Sequence, residues 1–209
     1  MYSKWSIRVV LVLLMFTTFV MPVQAQDRTR LFSLKPADMV GVMASPEVGF
    51  VCDDVVQEGG YNKWRCGRVF TSGEVQVTVL MILYARTLDT VDNMTLFVIQ
   101  PQAEEMLQKK PALLSNIVKV ASPLFVVMAR LPYDEEPTRE QAEAWIKASL
   151  PLVREVGDVR MTVIDGVSFG LSGSPAAWML VIDLAKPAIV TDTKDSGEQK
   201  EVLDWTTNF

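Results

Sequence analysis

Between residues 48 and 100 apolar positions recur every second residue, in runs over 49–56, 61–70, 75–85 and 94–100. Turn-forming segments separate them: Glu58-Gly59-Gly60, Thr71-Ser72-Gly73 and the stretch 89–93. A period of two, bounded by Gly, Asp and Ser clusters, marks strands joined in an antiparallel meander. In the third run Val75, Val77, Val79, Met81 and Leu83 share one face, while the other face begins polar at Gln76 and Thr78 and turns apolar at Leu80 and Ile82. The expectation is a central strand covered on both faces over its second half.

On either side of this region the spacing lengthens to that of helices. Pro36 stands at a first-turn position ahead of Met39, Val40, Val42 and Met43, and Pro46 closes that short helix. Within 101–128, Pro101, Pro111 and Pro123 each fit the opening turn of a helical piece, where a missing N–H is harmless. Leu113, Leu114, Ile117, Val118 and Ala121 supply the apolar stripe of the middle piece. Thr138-Arg139-Glu140-Gln141 has the spacing of a capping box, which predicts a helix over 139–156 kinked near Pro151. Two further runs, 159–164 and 167–171, flank Asp165-Gly166, a strong hairpin signal, and a last run covers 177–184. The pattern is that of an α+β domain: mostly antiparallel meander sheet with helices packed on one face.

The first 25 residues follow neither period. Lys4 and Arg8 precede an apolar run over 9–20, then Pro22 and Val23-Gln24-Ala25, with small residues where a signal peptidase reads. A bilayer span needs about 20 apolar residues. Segment 1–25 is therefore expected to be a cleavable signal peptide rather than an anchor, 26–187 a single domain, and the polar 188–209 a flexible tail. Residue 26 is Gln, not the Cys of a lipid-modified terminus. Cleavage would remove Lys4 and Arg8 and no acid, moving the formal net charge from −5 to about −7. That balance, with no basic stripe to offset it, repels phosphate backbones and anionic lipid, so nucleic acid is not expected as a partner. No stable membrane span is expected once the signal is gone.

Export places the two cysteines in an oxidising compartment, where a bridge is the simplest state. With Gln57 facing Tyr61 across Glu58-Gly59-Gly60, the same register sets Cys52 opposite Cys66, close enough for a disulfide. The chain contains no histidine, which removes the commonest general base and metal ligand and the ordinary hydrolase triads. Gly166-Val167-Ser168-Phe169-Gly170 matches the string of a nucleophile elbow, but it lies in a hairpin and no histidine can activate Ser168. Asp53, Asp54 and Glu58, and Asp134-Glu135-Glu136, are the acidic clusters; neither has the order of a calcium loop, and neighbouring acids on a strand face opposite ways. No catalytic, cofactor-binding or metal-ligating residue is assigned.

Asn93-Met94-Thr95 is an N-glycosylation sequon in form. The alternation at Leu203, Trp205 and Phe209 resembles the last strand of an outer-membrane barrel, over 203–209 only, and the helical segments contradict a barrel. Tyr61, Trp64 and Arg65 cluster beside the cysteines and form the candidate binding patch, aromatic and guanidinium groups being enriched at interfaces. The expected function is that of an exported, periplasmic or secreted, non-enzymatic domain that binds a protein or envelope component through this hairpin. The alternative is a carboxylate-dependent hydrolase of envelope glycans, which needs two acids about 5–9.5 Å apart across a cleft.

Overall fold

The alternating runs become one antiparallel sheet of eight strands in the computed structural model, which describes residues 30–72 and 75–185. Helix α1 (Pro36–Ala44) precedes β1 (Val51–Cys52), β2 (Val56–Glu58), β3 (Tyr61–Ser72), β4 (Val75–Ala85) and β5 (Asn93–Ile99). Helices α2 (Ala103–Lys109), α3 (Leu114–Arg130) and α4 (Glu136–Ser149) follow, and then β6 (Val159–Ile164), β7 (Val167–Ser174) and β8 (Ala177–Leu184). The strand order is β1-β3-β4-β5-β8-β7-β6, with β2 also paired to β3. The three helices after β5 thus carry the chain to the far edge, where β6 starts a second meander that returns to pair β8 with β5. Segment 1–25 and tail 188–209 lie outside the described residues.

Among the described residues α1, α3 and α4 bury their apolar stripes against one face of the sheet. On that face Cys66, Met81, Leu96, Leu180 and Leu171 form a row across five strands, each fully buried. Met39 and Met43 of α1 close the core over the β1–β3 end, while Ile117, Ala121 and Phe125 of α3 and Ala142 and Ile146 of α4 fill the rest. The rings of Tyr133 and Trp145 lie 6.2 and 5.8 Å from that of Phe169. Two polar tips of this aromatic layer are satisfied by backbone: Tyr133 Oη donates to the Ile164 carbonyl (2.7 Å) and Trp178 Nε1 to that of Val153 (2.8 Å). The segment Pro111–Arg130 is apolar enough, at 20 residues and mean hydropathy 1.8, to cross a membrane by length and composition alone. Here its inner stripe, Ile117, Ala121, Phe125, Met128 and Ala129, belongs to the core.

The Cys52–Cys66 disulfide forms between β1 and β3, its Cα atoms 4.0 Å apart. Its surroundings differ from the expected register. Gly59 and Gly60, both at positive φ, make a two-residue turn in which Glu58 faces Tyr61, so Gln57 pairs with Asn62. The run 49–56 is consequently two short strands. The Asp53 N–H still bonds the Arg65 carbonyl (2.8 Å) and Val56 faces Lys63, leaving Asp54 and Val55 to share the single position opposite Trp64. This bulge absorbs the residue that the tighter turn releases, and it restores the pairing of Cys52 with Cys66.

Two helical expectations are also corrected. Pro123 does not open a helix but lies inside α3, on its exposed side, where the carbonyl freed four residues earlier belongs to solvent-facing Lys119. The fourth helix begins at Glu136, with Pro137 in its first turn and no side-chain cap, so Thr138 and Gln141 make no capping box. A proline already shaped for the first turn advances the start. The same helix stops at Ser149, and Pro151 sits in a separate 3₁₀ turn, Leu150–Leu152, instead of kinking a longer helix.

Candidate functional site

Strand pleating sends alternate side chains to the side of the sheet that, among the described residues, carries no helix. There the cross-strand register lines up Arg65, Ile82, Thr95, Val181, Gly170 and Met161 in one row from β3 to β6. The next row is Gly67, Leu80, Phe97, Met179, Ser172 and Val159. Leu80, Ile82, Phe97, Met179 and Val181 are half-buried by one another, and Val159, Met161 and Val163 on β6 are 58, 53 and 61% exposed. β4 is central, as the alternation predicts, but among the described residues nothing is layered over its second apolar face. On β7 the same side carries only Ser168, Gly170 and Ser172. A Cβ at Gly170 would meet no atom within 4 Å, so β7 forms the floor of a trough between the larger side chains of β6 and β8.

A polar row borders this apolar field. It runs Lys63, Tyr84, Asn93, Asp183, Ser168. Lys63 Nζ binds Glu58 (2.8 Å) and stands 5.6 Å from the centre of the Tyr84 ring; the Glu58 hydrogen bond raises its pKa. Arg65 pairs with Asp53 at 2.7 Å. The Thr95 hydroxyl donates to Asn93 Oδ1 at 3.2 Å, so both polar members of the sequon are engaged within the strand.

The structure divides the predicted hairpin patch. Trp64 is only 7% exposed and points into the core with Cys66 and Leu83, whereas Tyr61 and Arg65 lie on the helix-free side. Ser168 sits in β7 opposite Val163 and Asp183, not on a strand-to-helix turn. Lys63, at the far end of the same row, is four strands away, about 19 Å at the usual spacing, too far to activate it.

A shallow depression of about 290 Å³ opens on the outer side of α3 and α4, lined by Arg130, Glu136, Glu140, Glu143, Ala144 and Lys147. Two of its three carboxylates are tied to cations: Arg130 binds Glu143 (2.7 Å) and Glu136 (2.5 Å), and Lys147 binds Glu143 (2.5 Å). Hydrogen bonds from Lys147 and then Arg130 hold the Glu143 carboxyl below the usual range. A glycosidase acid needs the opposite shift. Three of the six acids singled out in the sequence are also ion-paired, Asp53 with Arg65, Glu58 with Lys63 and Glu136 with Arg130.

What the sequence reading passed over is the field centred on Phe97, Met179 and Val181. Its signal was present: β4 from Val79 to Leu83 and β8 from Trp178 to Ile182 are apolar at every position, although among the described residues helices cover only one of their faces. Comparison with known protein families, curated proteins and solved structures finds no match, and the geometry of this face stands as the guide to function.

Proposed function

We propose that this chain is an exported, non-enzymatic binding domain that docks a protein partner across the helix-free face of its sheet. The observation that carries the proposal is the apolar field from Leu80 on β4 to Val163 on β6, bordered by the polar row from Lys63 to Ser168. Contiguous apolar surface with a polar rim is the anatomy of a protein interface. Location outside the cytosol is supported by the N-terminal pattern and is consistent with the Cys52–Cys66 bridge. The partner's contact surface should be apolar, and Tyr61 and Arg65 at the border would serve as rim contacts rather than anchors.

Affinity capture from the native envelope, with wild type and a Val181→Lys variant side by side, tests this reading. Val181 lies half-buried in the middle of the field. A central anchor contributes about 2 kcal/mol or more, roughly thirty-fold in affinity. The expected outcome is a protein retained by wild type and lost by Val181→Lys at an unchanged melting temperature. Equal retention by both chains, or turnover of an envelope glycan by either, would overturn it.

A further inference from the structure

Among the described residues β6 pairs only with β7, and it forms one end of the sheet. Natural edge strands are normally interrupted by a bulge, a proline, extra charge or shortness. β6, Val-Arg-Met-Thr-Val-Ile, has six residues in regular register, no proline and one charge, Arg160. Its backbone is also aimed outward at defined places. Asp165 and Gly166, at φ 43° and 74°, make a two-residue turn, so the flanking pair Ile164 and Val167 is hydrogen-bonded and the pairs alternate from there. Val159, Met161 and Val163 therefore turn their N–H and C=O groups away from β7, and these are the same three residues whose side chains are more than half exposed.

We propose that β6 is a self-association site, pairing antiparallel with β6 of a second copy about a two-fold axis through Met161. The strand is chemically palindromic about that residue: Val159 faces the second copy's Val163, Met161 faces Met161, and Arg160 faces Thr162 on the helix side. All three outward-aimed residues of each strand then fall in hydrogen-bonded pairs, and the two apolar faces meet in register. No like charges oppose one another directly, and two residues from Arg160 stands Asp158, whose pKa is lowered by hydrogen bonds from the Arg154 and Glu155 N–H groups and further by Arg160. A second copy fits better than an arbitrary extended peptide because its pattern repeats that of the edge it meets, and it joins two helix-free faces into one continuous sheet. Five paired residues give a contact at the low end of specific interfaces, so association is expected in the micromolar rather than the nanomolar range.

Sedimentation equilibrium and concentration-dependent amide exchange of the described domain within the full mature chain test this. The expected result is a monomer–dimer equilibrium in which the amides of Val159, Met161 and Val163 gain protection as concentration rises, while those of Arg160 and Thr162, already bonded to β7, do not change. Met161→Glu sets two carboxylates face to face on the axis. It should weaken the dimer at least tenfold with the melting curve of the monomer unchanged, because the residue is solvent-exposed. A chain that stays monomeric to about 1 mM would overturn the proposal, as would a dimer indifferent to Met161→Glu or one without the alternating protection. Val181 is not part of this contact, so self-association and partner docking stand or fall separately.

Discussion

The two ends of the sheet carry similar residues and behave differently. At the β1–β2 end Val51, Val55 and Val56 are exposed, and at the β6 end Val159, Met161 and Val163 are. Composition would rank both as open edges. Yet the first is cut into strands of two and three residues by the bulge at Asp54-Val55, pinned to β3 by the disulfide and flanked by Asp53 and Glu58 in ion pairs. The second runs unbroken. Whether an edge can accept another strand depends on the continuity of its outward N–H and C=O groups, and here a single extra residue in the backbone separates the protected edge from the available one.

If the protected edge owes its shape to covalent and buried contacts, the largest effect should come from Trp64, the residue opposite the bulge. Trp64→Ala would empty a buried volume in the core and is expected to destabilise the domain by about 3–5 kcal/mol, read from denaturant titration. A loss below about 1 kcal/mol would mean that the bulge does not rest on this side chain. Removing the bridge by reduction, or by Cys52→Ser with Cys66→Ser, opens a loop with a sequence separation of 14. The expected loss is about 3 kcal/mol, or roughly 6–12 °C in melting temperature for a domain of this size. Calorimetry with and without reductant measures it, and an unchanged transition would show that α1 alone holds β1 in place.

The same contrast explains what could be read from the sequence. Asp165-Gly166 and the strands on either side were legible because turn chemistry and period are local. The pairing of Cys52 with Cys66 was legible too, though by a register that fails at the turn: two glycines allow a tighter turn than three residues suggest, and the bulge compensates four residues before the turn. Strand order was not legible, since nothing local in α2, α3 or α4 tells the chain to cross the sheet before starting β6. The helix-free face was misjudged for a related reason. Leu80 and Ile82 announce a second apolar face on β4, and a sequence cannot say whether the cover for that face comes from its own helices or from another molecule. The same rule of alternation that sent Trp64 to the core sent Arg65 to the surface, and only the register decides which.

The smallest effect is expected at Arg65, and it bears most directly on what protects the first edge. Arg65 and Asp53 form a good 2.7 Å contact, but their side chains are 58 and 50% exposed. Water screens such a pair, and ordering the long arginine side chain offsets much of its attraction, so Arg65→Ala should change stability by no more than about 0.5–1 kcal/mol. The Asp53 N–H bond to the Arg65 carbonyl belongs to the backbone and survives the substitution. Amide exchange across residues 51–58 should therefore keep its wild-type pattern in Arg65→Ala. If protection of the Asp53 amide collapsed in that variant, or if the variant began to self-associate through β1 and β2, the ion pair rather than the bulge and disulfide would be the guard, and the difference between the two edges would be one of charge instead of backbone shape.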